Sequence, residues 1–248
     1  MIEMLSIDLT NHCSKACDFC YNRSHRLGAT EWATEEVIAF SKDCISHGVK
    51  AISFGGGEPF EYPGIFNIIE AIKKIAFVSV TSNGLPLLDE DLFLKLKQNS
   101  PDKIHITIHY PDNAKEVERV INQIIRIKED TQIIPGVNLL VSKSKVDFCR
   151  NVYQQLKNHL EPKAIILVPQ RFRDTPVPSD LAVITAGEPF QSPSCLLRCS
   201  HTGSFASVSW DKKVNWCSFA GGKEPLQDTT YAALIEALST VRFTSCKQ

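Results

Sequence analysis

The 248-residue chain has no charge excess of either sign: 27 basic residues against 28 acidic leave a net charge of −1. No basic patch alternates with aromatics, so the attraction that drives binding to nucleic acid or to an anionic membrane has no source in it. The opening MIEMLSIDLT lacks a positive n-region and an apolar h-region and does not read as a secretory signal. No apolar run approaches the ~20 residues that a membrane span needs. Repeats of solenoid period and low-complexity segments are also missing. These absences point to a cytoplasmic protein. Its length fits one large domain, or one with a small appendix, and is enough to bury a substantial core.

Cysteine is what the chain does have, nine in all. In the cytoplasm they are better read as thiols or metal ligands than as disulfides. Cys44 recurs with Val37 on an apolar helical face, and Cys149 with Tyr153, Leu156 and Leu160, which reads as packing. Cys13, Cys17 and Cys20 form CSKACDFC, directly after the first apolar strand, MLSIDL. Cys195, Cys199, Cys217 and Cys246 lie in the last quarter.

Between these groups, strand and helix patterns alternate. Thr34-Glu35-Glu36 starts a helix that Gly48 ends, and AISF (51–54) breaks at Gly55-Gly56-Gly57. Further strands are expected at 77–82, 103–110, 133–141 and 164–169, with helices over 64–74, 90–96, 114–129 and 146–160. About six βα units imply a parallel sheet, closed into a barrel or open and doubly wound; pattern alone leaves both. In either case the chemistry belongs at the carboxyl ends of the strands. The cysteine loop, the glycine run, Ser82-Asn83-Gly84 and His109 all fall there. From Arg171 to Cys195 four prolines suggest a linker or irregular crossover. A hairpin is expected over 205–217 and a last helix from Thr230 to Ser239.

Three thiolates leave a four-coordinate site one ligand short. Zinc would complete it with His12 or His25. A [4Fe–4S] cluster with three protein ligands would instead keep one iron open. CSKACDFC, with Phe19 at its aromatic position, resembles the radical S-adenosylmethionine (radical SAM) signature C-x3-C-x-aromatic-C. FGGGEPF, ending the second strand, resembles the same superfamily's GGE segment. The resemblance implies a partial (β/α)6 barrel over residues 1–172, with Cys13, Cys17 and Cys20 on a cluster whose open iron chelates S-adenosylmethionine. Glycines at a strand end let a ligand approach the backbone. Gly55, Gly56, Gly57, Glu58 and Pro59 would hold the methionine end, Ser82 and Asn83 the ribose or carboxylate, and Thr107 would lie close by. Val168 would lie against the adenine, or is an ordinary barrel valine. His109 faces substrate or is a rim histidine; relatives carry an acidic residue there. Arg171 and Arg173 grip an anion or are solvated.

The last quarter resembles the SPASM/twitch subgroup, in which cysteines flanking a hairpin bind an auxiliary [4Fe–4S] cluster. Residues 173–248 would form that α+β module, with Cys195, Cys199, Cys217 and Cys246 as ligands, or a zinc site that includes His201. The subgroup's hairpin glycine is replaced by Lys212. The implied activity is reductive cleavage of S-adenosylmethionine to a 5′-deoxyadenosyl radical that abstracts hydrogen, fed by a low-potential donor such as flavodoxin or ferredoxin. The leading expectation is a peptide or protein side chain as substrate, oxidised or cross-linked, with any leader-recognition domain supplied separately. The alternative is a small molecule such as a sugar or aminocyclitol. A non-catalytic zinc- or iron–sulfur-binding protein is the reading from another class.

Overall fold

The computed structural model describes residues 1–193, 196–244 and 246. Six strands alternate with helices: β1 (Met4–Thr10), α1 (Thr34–Ser46), β2 (Ala51–Gly56), α2 (Ile65–Ile72), β3 (Phe77–Ser82), α3 (Glu90–Gln98), β4 (Lys103–Ile108), α4 (Ala114–Asp130), β5 (Ile134–Val141), α5 (Val146–Lys157) and β6 (Ile165–Pro169). Then follow α6 (Pro178–Ile184), β7 (Phe205–Val208), β8 (Lys213–Asn215), β9 (Glu224–Pro225) and α7 (Tyr231–Thr240). All nine strands join one sheet, in the order β6-β5-β4-β3-β2-β1-β7-β8-β9.

The order decides between the two architectures left open by the sequence. From β1 to β6 each strand is laid beside the last, always parallel. Right-handed crossovers in an unreversed order put every helix on the same face. A doubly wound sheet would need the order to reverse. The result is an open, partial barrel whose convex face is covered by helices.

Side-chain parity shows the same thing. Leu5, Ile7, Leu9, Ile52, Phe54, Val78, Val80, Ile104, Ile106, Ile108, Val137, Leu139 and Val141 are fully buried and pack in one core with Val37, Phe40, Ile68, Val120 and Leu156 of the helices. Cys44 and Cys149 belong to this core, with no exposure. The alternate residues, in register across the strands, are Ser6, Ser53 and Ser79, then Asp8 and Gly55, Thr81, His105 and Gly136, and Thr107 and Asn138. Closed barrels fill this side with Val, Ile and Leu. Here its middle, from β1 to Asn138 of β5, is small or polar, and Leu140, Ile166 and Val168 make it apolar toward β6.

Two elements depart from the sequence expectation. The proline-rich stretch contains α6, because Pro178 occupies a helix's first turn, where its missing N–H costs nothing. Asp180 accepts from the Val177 amide at 2.8 Å and caps it. The hairpin gains a third strand, β9, held by two register pairs to β8. β7 pairs in parallel with β1, so residues on both sides of position 172 share one sheet.

Candidate active site at the carboxyl ends of the strands

The chain leaves β1 into the cysteine loop, which is fixed from several directions. The Cys13 amide donates to the His25 carbonyl at 3.1 Å, and the Cys20 amide to the Cys17 carbonyl at 3.2 Å. The Glu61 carboxylate accepts from the Ser14 amide at 2.9 Å and hydroxyl, and lies 3.2 Å from His12 Nε2. Lys15, inside the C-x3-C segment, meets Glu116 of α4 at 2.8 Å, both nearly buried. Glu116 also accepts from the His109 amide at 2.7 Å. Burial alone would raise the Glu116 pKa, but bonds from His109 and Lys15 outweigh it and bring it down to about 2.

Phe19 turns inward. Its ring stacks on His109 at 6.3 Å and meets Tyr110 edge-on at 5.3 Å. His109 follows the last residue of β4, and burial lowers its pKa, so the ring is held neutral. Thr107 stands on the inner face of β4, in register with Asn138, and Val168 on that of β6, in register with Leu140.

The glycine run divides by position. A Cβ on Gly57 would sit 2.0 Å from the His12 carbonyl oxygen, and its amide donates to the Thr10 carbonyl at 2.7 Å. Gly56 has φ +106°, and a Cβ there would lie 2.6 Å from the Thr10 carbonyl oxygen. These two glycines let the end of β2 close against the cysteine loop. Gly55 differs: a Cβ would meet only Asp8 Oδ1, at 3.6 Å, so open space lies beside its backbone.

Glu58 is fully buried, and Pro59 begins a short 3₁₀ turn after it. The Glu58 carboxylate accepts from Ser82 Oγ at 2.8 Å and the Asn83 amide at 2.7 Å, joining the ends of β2 and β3. Burial raises its pKa to about 7 in spite of these bonds. Asn83 Nδ2 lies 3.6 Å from Cys13 Sγ, a donor to the sulfur. One connected path thus runs from Glu58 through Asn83 to the first thiol.

Cys13 is nearly buried, while Cys17 and Cys20 are half-buried. Burial pushes the Cys17 thiol up to about 11, with Lys15 and Tyr110 pulling the other way. Ligation would therefore depend on a metal to displace the proton. Among the described residues no three His, Cys, Asp or Glu are placed to hold a single ion. An iron–sulfur cluster sets a different demand, since each thiolate takes its own iron. Three neighbouring thiols beside an open glycine backbone fit that group.

The C-terminal cysteines come from separate places. Cys199 and Cys217 are half-buried and Cys246 is buried at 8% exposure; Cys195 lies outside the described residues. All eight described cysteines are free thiols. His201 stacks on Trp216 at 4.7 Å, and a cleft of about 290 Å³ runs between Arg171 and Cys246. Arg171 is buried, its guanidinium 4.7 Å over the Phe219 ring. Tyr21 links the two cysteine groups. Its ring packs 4.5 Å from Phe219, and burial, Asp8, Cys20 and Cys217 all raise its pKa. Lys212 has φ +51°, the left-handed conformation that glycine adopts most readily. The position where a glycine was expected thus keeps a glycine's backbone.

Asp8, Glu61 and Glu116 escape sequence reasoning. The partners of Glu61 and Glu116 lie far along the chain, and only Asp8 gave a usable signal: a lone acid in the apolar strand MLSIDLT.

Known proteins were compared with the chain. The family described as the radical SAM superfamily matches residues 7–153, more than half of it. A probable GTP 3′,8-cyclase of Methanocaldococcus jannaschii is 31% identical over 169 residues, 61% of this chain and 56% of the relative. A second, from Methanocella arvoryzae, is 32% identical over 114 residues, 46% of this chain and 36% of the relative. The GTP 3′,8-cyclase of Clostridium perfringens strain SM101 is 24% identical over 243 residues, 88% of this chain and 73% of the relative. The chain thus spans about half or less of the first two. Among solved structures, Streptococcus suis SuiB bound to S-adenosylmethionine superposes with a TM-score of 0.71 at 14% identity, covering 97% of this chain and 67% of that one. The enzyme anSMEcpe with bound AdoMet gives 0.66 at 16% identity, covering 96% and 81%. At these identities the likeness shows the fold alone.

These relatives overturn the leading expectation of a peptide substrate. The names they carry describe a reaction of a nucleotide, a small molecule. The likeness to an auxiliary-cluster module goes with both substrate classes, so it left the choice between peptide and small molecule open.

Proposed function

Because the chain belongs to the radical SAM superfamily, and is therefore a radical SAM enzyme that binds S-adenosylmethionine at a [4Fe–4S] cluster, we propose that it acts on a small molecule held against the inner face of its partial barrel. The carrying observation is the placement of three thiols and the open side of Gly55 at the carboxyl end of a small, polar face.

When bound, the cluster and its cofactor supply a 5′-deoxyadenosyl radical able to take hydrogen from an unactivated C–H bond. The protein's own part is placement and exclusion. Cys13, Cys17 and Cys20 hold the cluster, and Asn83 donates toward Cys13. The backbone at Gly55 would be open to the cofactor's methionine end, while Glu58 and Pro59 set the geometry of that turn. Ser82 serves through Glu58. Thr107 and Val168 line the face beyond. His109, neutral and stacked on Phe19, borders the substrate space, and Arg171 closes it on the C-terminal side. The electron comes from a low-potential donor of the flavodoxin or ferredoxin kind.

The C-terminal cysteines we assign to a second cluster, with residues 173–248 as its module. Cys217 lies within electrostatic reach of Tyr21, as Cys20 does, and Lys212 has a glycine-like backbone, which supports the twitch likeness.

Anaerobic reconstitution tests both parts. Wild type should hold about eight irons per chain, as two four-iron clusters require. It should form 5′-deoxyadenosine from S-adenosylmethionine under a low-potential reductant, and exchange of Cys13, Cys17 and Cys20 for Ala should abolish this. Stoichiometric zinc at the opening triplet, with no cleavage, would refute the reading. About four irons with cleavage intact would remove the second cluster alone.

A further inference from the structure

Tyr110 has no part in the scheme above, yet its ring is fixed against the cysteine loop. It precedes Pro111 in the turn between β4 and α4, where its carbonyl accepts from the Asn113 amide at 2.9 Å. Proline at the second position of such a turn is pre-set for it. Asn113 then caps α4 by accepting from the Glu116 amide at 3.2 Å. Phe19 meets the Tyr110 ring edge-on at 5.3 Å, and the ammonium groups of Lys15 and Lys145 lie 5.5 and 5.6 Å from its centroid. Both cations are themselves pinned, Lys15 by Glu116 and Lys145 by Asp112, each at 2.8 Å.

So held, the half-buried phenol directs its hydroxyl to the Cys17 sulfur, which accepts its hydrogen bond. Burial first, and then the Cys17 charge, raises the Tyr110 pKa, so the hydroxyl keeps its proton and donates. A neutral thiol is a weak acceptor. A thiolate on a cluster is negatively charged, and donors to charged groups form the stronger bonds. The phenol is therefore matched to the ligated sulfur and not to the free one. Lys15 also favours the Cys17 thiolate, but Glu116 beside it offsets its charge beyond the pair. Tyr110 brings a donor with no opposing charge. Cys13 is served differently, by Asn83 at 3.6 Å and by the amides of Ala16 and Lys15.

We propose that Tyr110 tunes the opening cluster, its hydroxyl donating to Cys17 and raising the potential at which the cluster accepts an electron. This rests on the [4Fe–4S] reading above. One electron passes from the low-potential donor to the cluster, no bond forms or breaks, and the site gains one negative charge. A hydrogen bond to a ligating sulfur is stronger in the more negative state, so it favours reduction.

Redox titration of the reconstituted protein without S-adenosylmethionine, followed by electron paramagnetic resonance, tests it. The signal of the opening cluster is the one missing when Cys13, Cys17 and Cys20 are exchanged for Ala. Tyr110→Phe keeps the ring, with its Phe19 and lysine contacts, and removes only the hydroxyl. At a fixed potential its reduced-to-oxidised ratio should fall roughly threefold to tenfold, about 30–60 mV for a one-electron couple. A 3-fluorotyrosine at position 110, the more acidic donor, should move the midpoint upward. An unshifted midpoint in Tyr110→Phe, with the iron content and melting temperature of wild type, overturns the proposal. Should Tyr110→Phe fail to hold the cluster, the fluorinated protein decides alone, and a midpoint at or below that of wild type overturns it. Wild type without a [4Fe–4S] signal refutes the parent reading and the proposal with it, a failure seen before any midpoint is read.

Discussion

The two cysteine-bearing regions are held together in opposite ways. At the carboxyl end of β1, three thiols come from eight consecutive residues, and Glu61, Glu116, Asn83 and Gly57 press on that loop from the segments after β2 and β3 and from α4. In the C-terminal region, Cys199, Cys217 and Cys246 come from three distant segments, held mainly by His201 on Trp216 and by Asn215 bonding to the Gly221 carbonyl at 2.8 Å. The first is a preformed site on which many contacts agree. In the second, the cysteines are spread along the tail, and the contacts named there tie its own segments to one another. A local motif needs only its loop to be recognised, whereas an assembled site depends on the whole tail.

The largest break in that contrast should come from Gly57→Ala. The added Cβ would overlap the His12 carbonyl, which belongs to the backbone and has no flexible end to move. Iron at the opening triplet should fall to near zero on reconstitution, and any iron of the proposed second cluster should be retained. Gly55→Ala is the control. It meets only Asp8 Oδ1 at 3.6 Å, so it should keep the iron content and the fold of wild type yet weaken cofactor binding in equilibrium dialysis. Equal loss from both variants would mean that the run serves packing alone.

A middle-sized effect is expected from pH. Asp8 titrates near 3.8 when unfolded and at about 6 when folded. A carboxylate with a raised pKa costs nothing below the unfolded value and destabilises increasingly as pH rises to the folded one. Asp8→Asn should therefore gain on wild type between about pH 4 and 6, by roughly 3 kcal/mol, then hold constant. Glu116 runs the other way. Its contribution is present above about pH 4.5 and fades as pH falls toward 2. Urea melts of wild type, Asp8→Asn and Glu116→Gln across that range would expose both slopes, and parallel curves would contradict them.

The smallest effect belongs to Lys212→Gly. The exchange loses the pair with Glu36 at 2.6 Å, partly exposed and worth about 0–1 kcal/mol. It relieves a left-handed backbone strained by about 1 kcal/mol. The melting midpoint should move by no more than a degree or two. A large drop would show that Lys212 does more in the C-terminal region than its contacts suggest.

Why some of this was legible before the fold can be read from particular residues. Strand and helix alternation is a local pattern, so β1 to β6 and α1 to α5 emerge close to their observed bounds. The C-x3-C-x2-C loop and Gly-Gly-Gly-Glu-Pro are likewise written in consecutive residues. Glu61 reaches Ser14 across 47 positions and Lys15 reaches Glu116 across 101, so no window shows what those acids do. The division of labour within the glycine run needed the position of Thr10 and His12. α6 was missed because four prolines outweighed the one that starts a helix. The substrate class was misread because CSKACDFC and GGGEP, the motifs that identify the family, bear on the cluster and its cofactor and carry no information on what else is bound.

β1 precedes its two neighbours in the chain and is also an interior strand of the finished sheet, with β2 on one side and β7 on the other. Its first neighbour arrives by residue 56, its second only at residue 205. At ~5–20 residues per second, one edge of β1 stays unpaired for roughly 7–30 s of synthesis after β2 docks. An open edge of this kind is a template for pairing with another chain. The hazard is one of timing, and it falls on the strand that carries the cysteine loop.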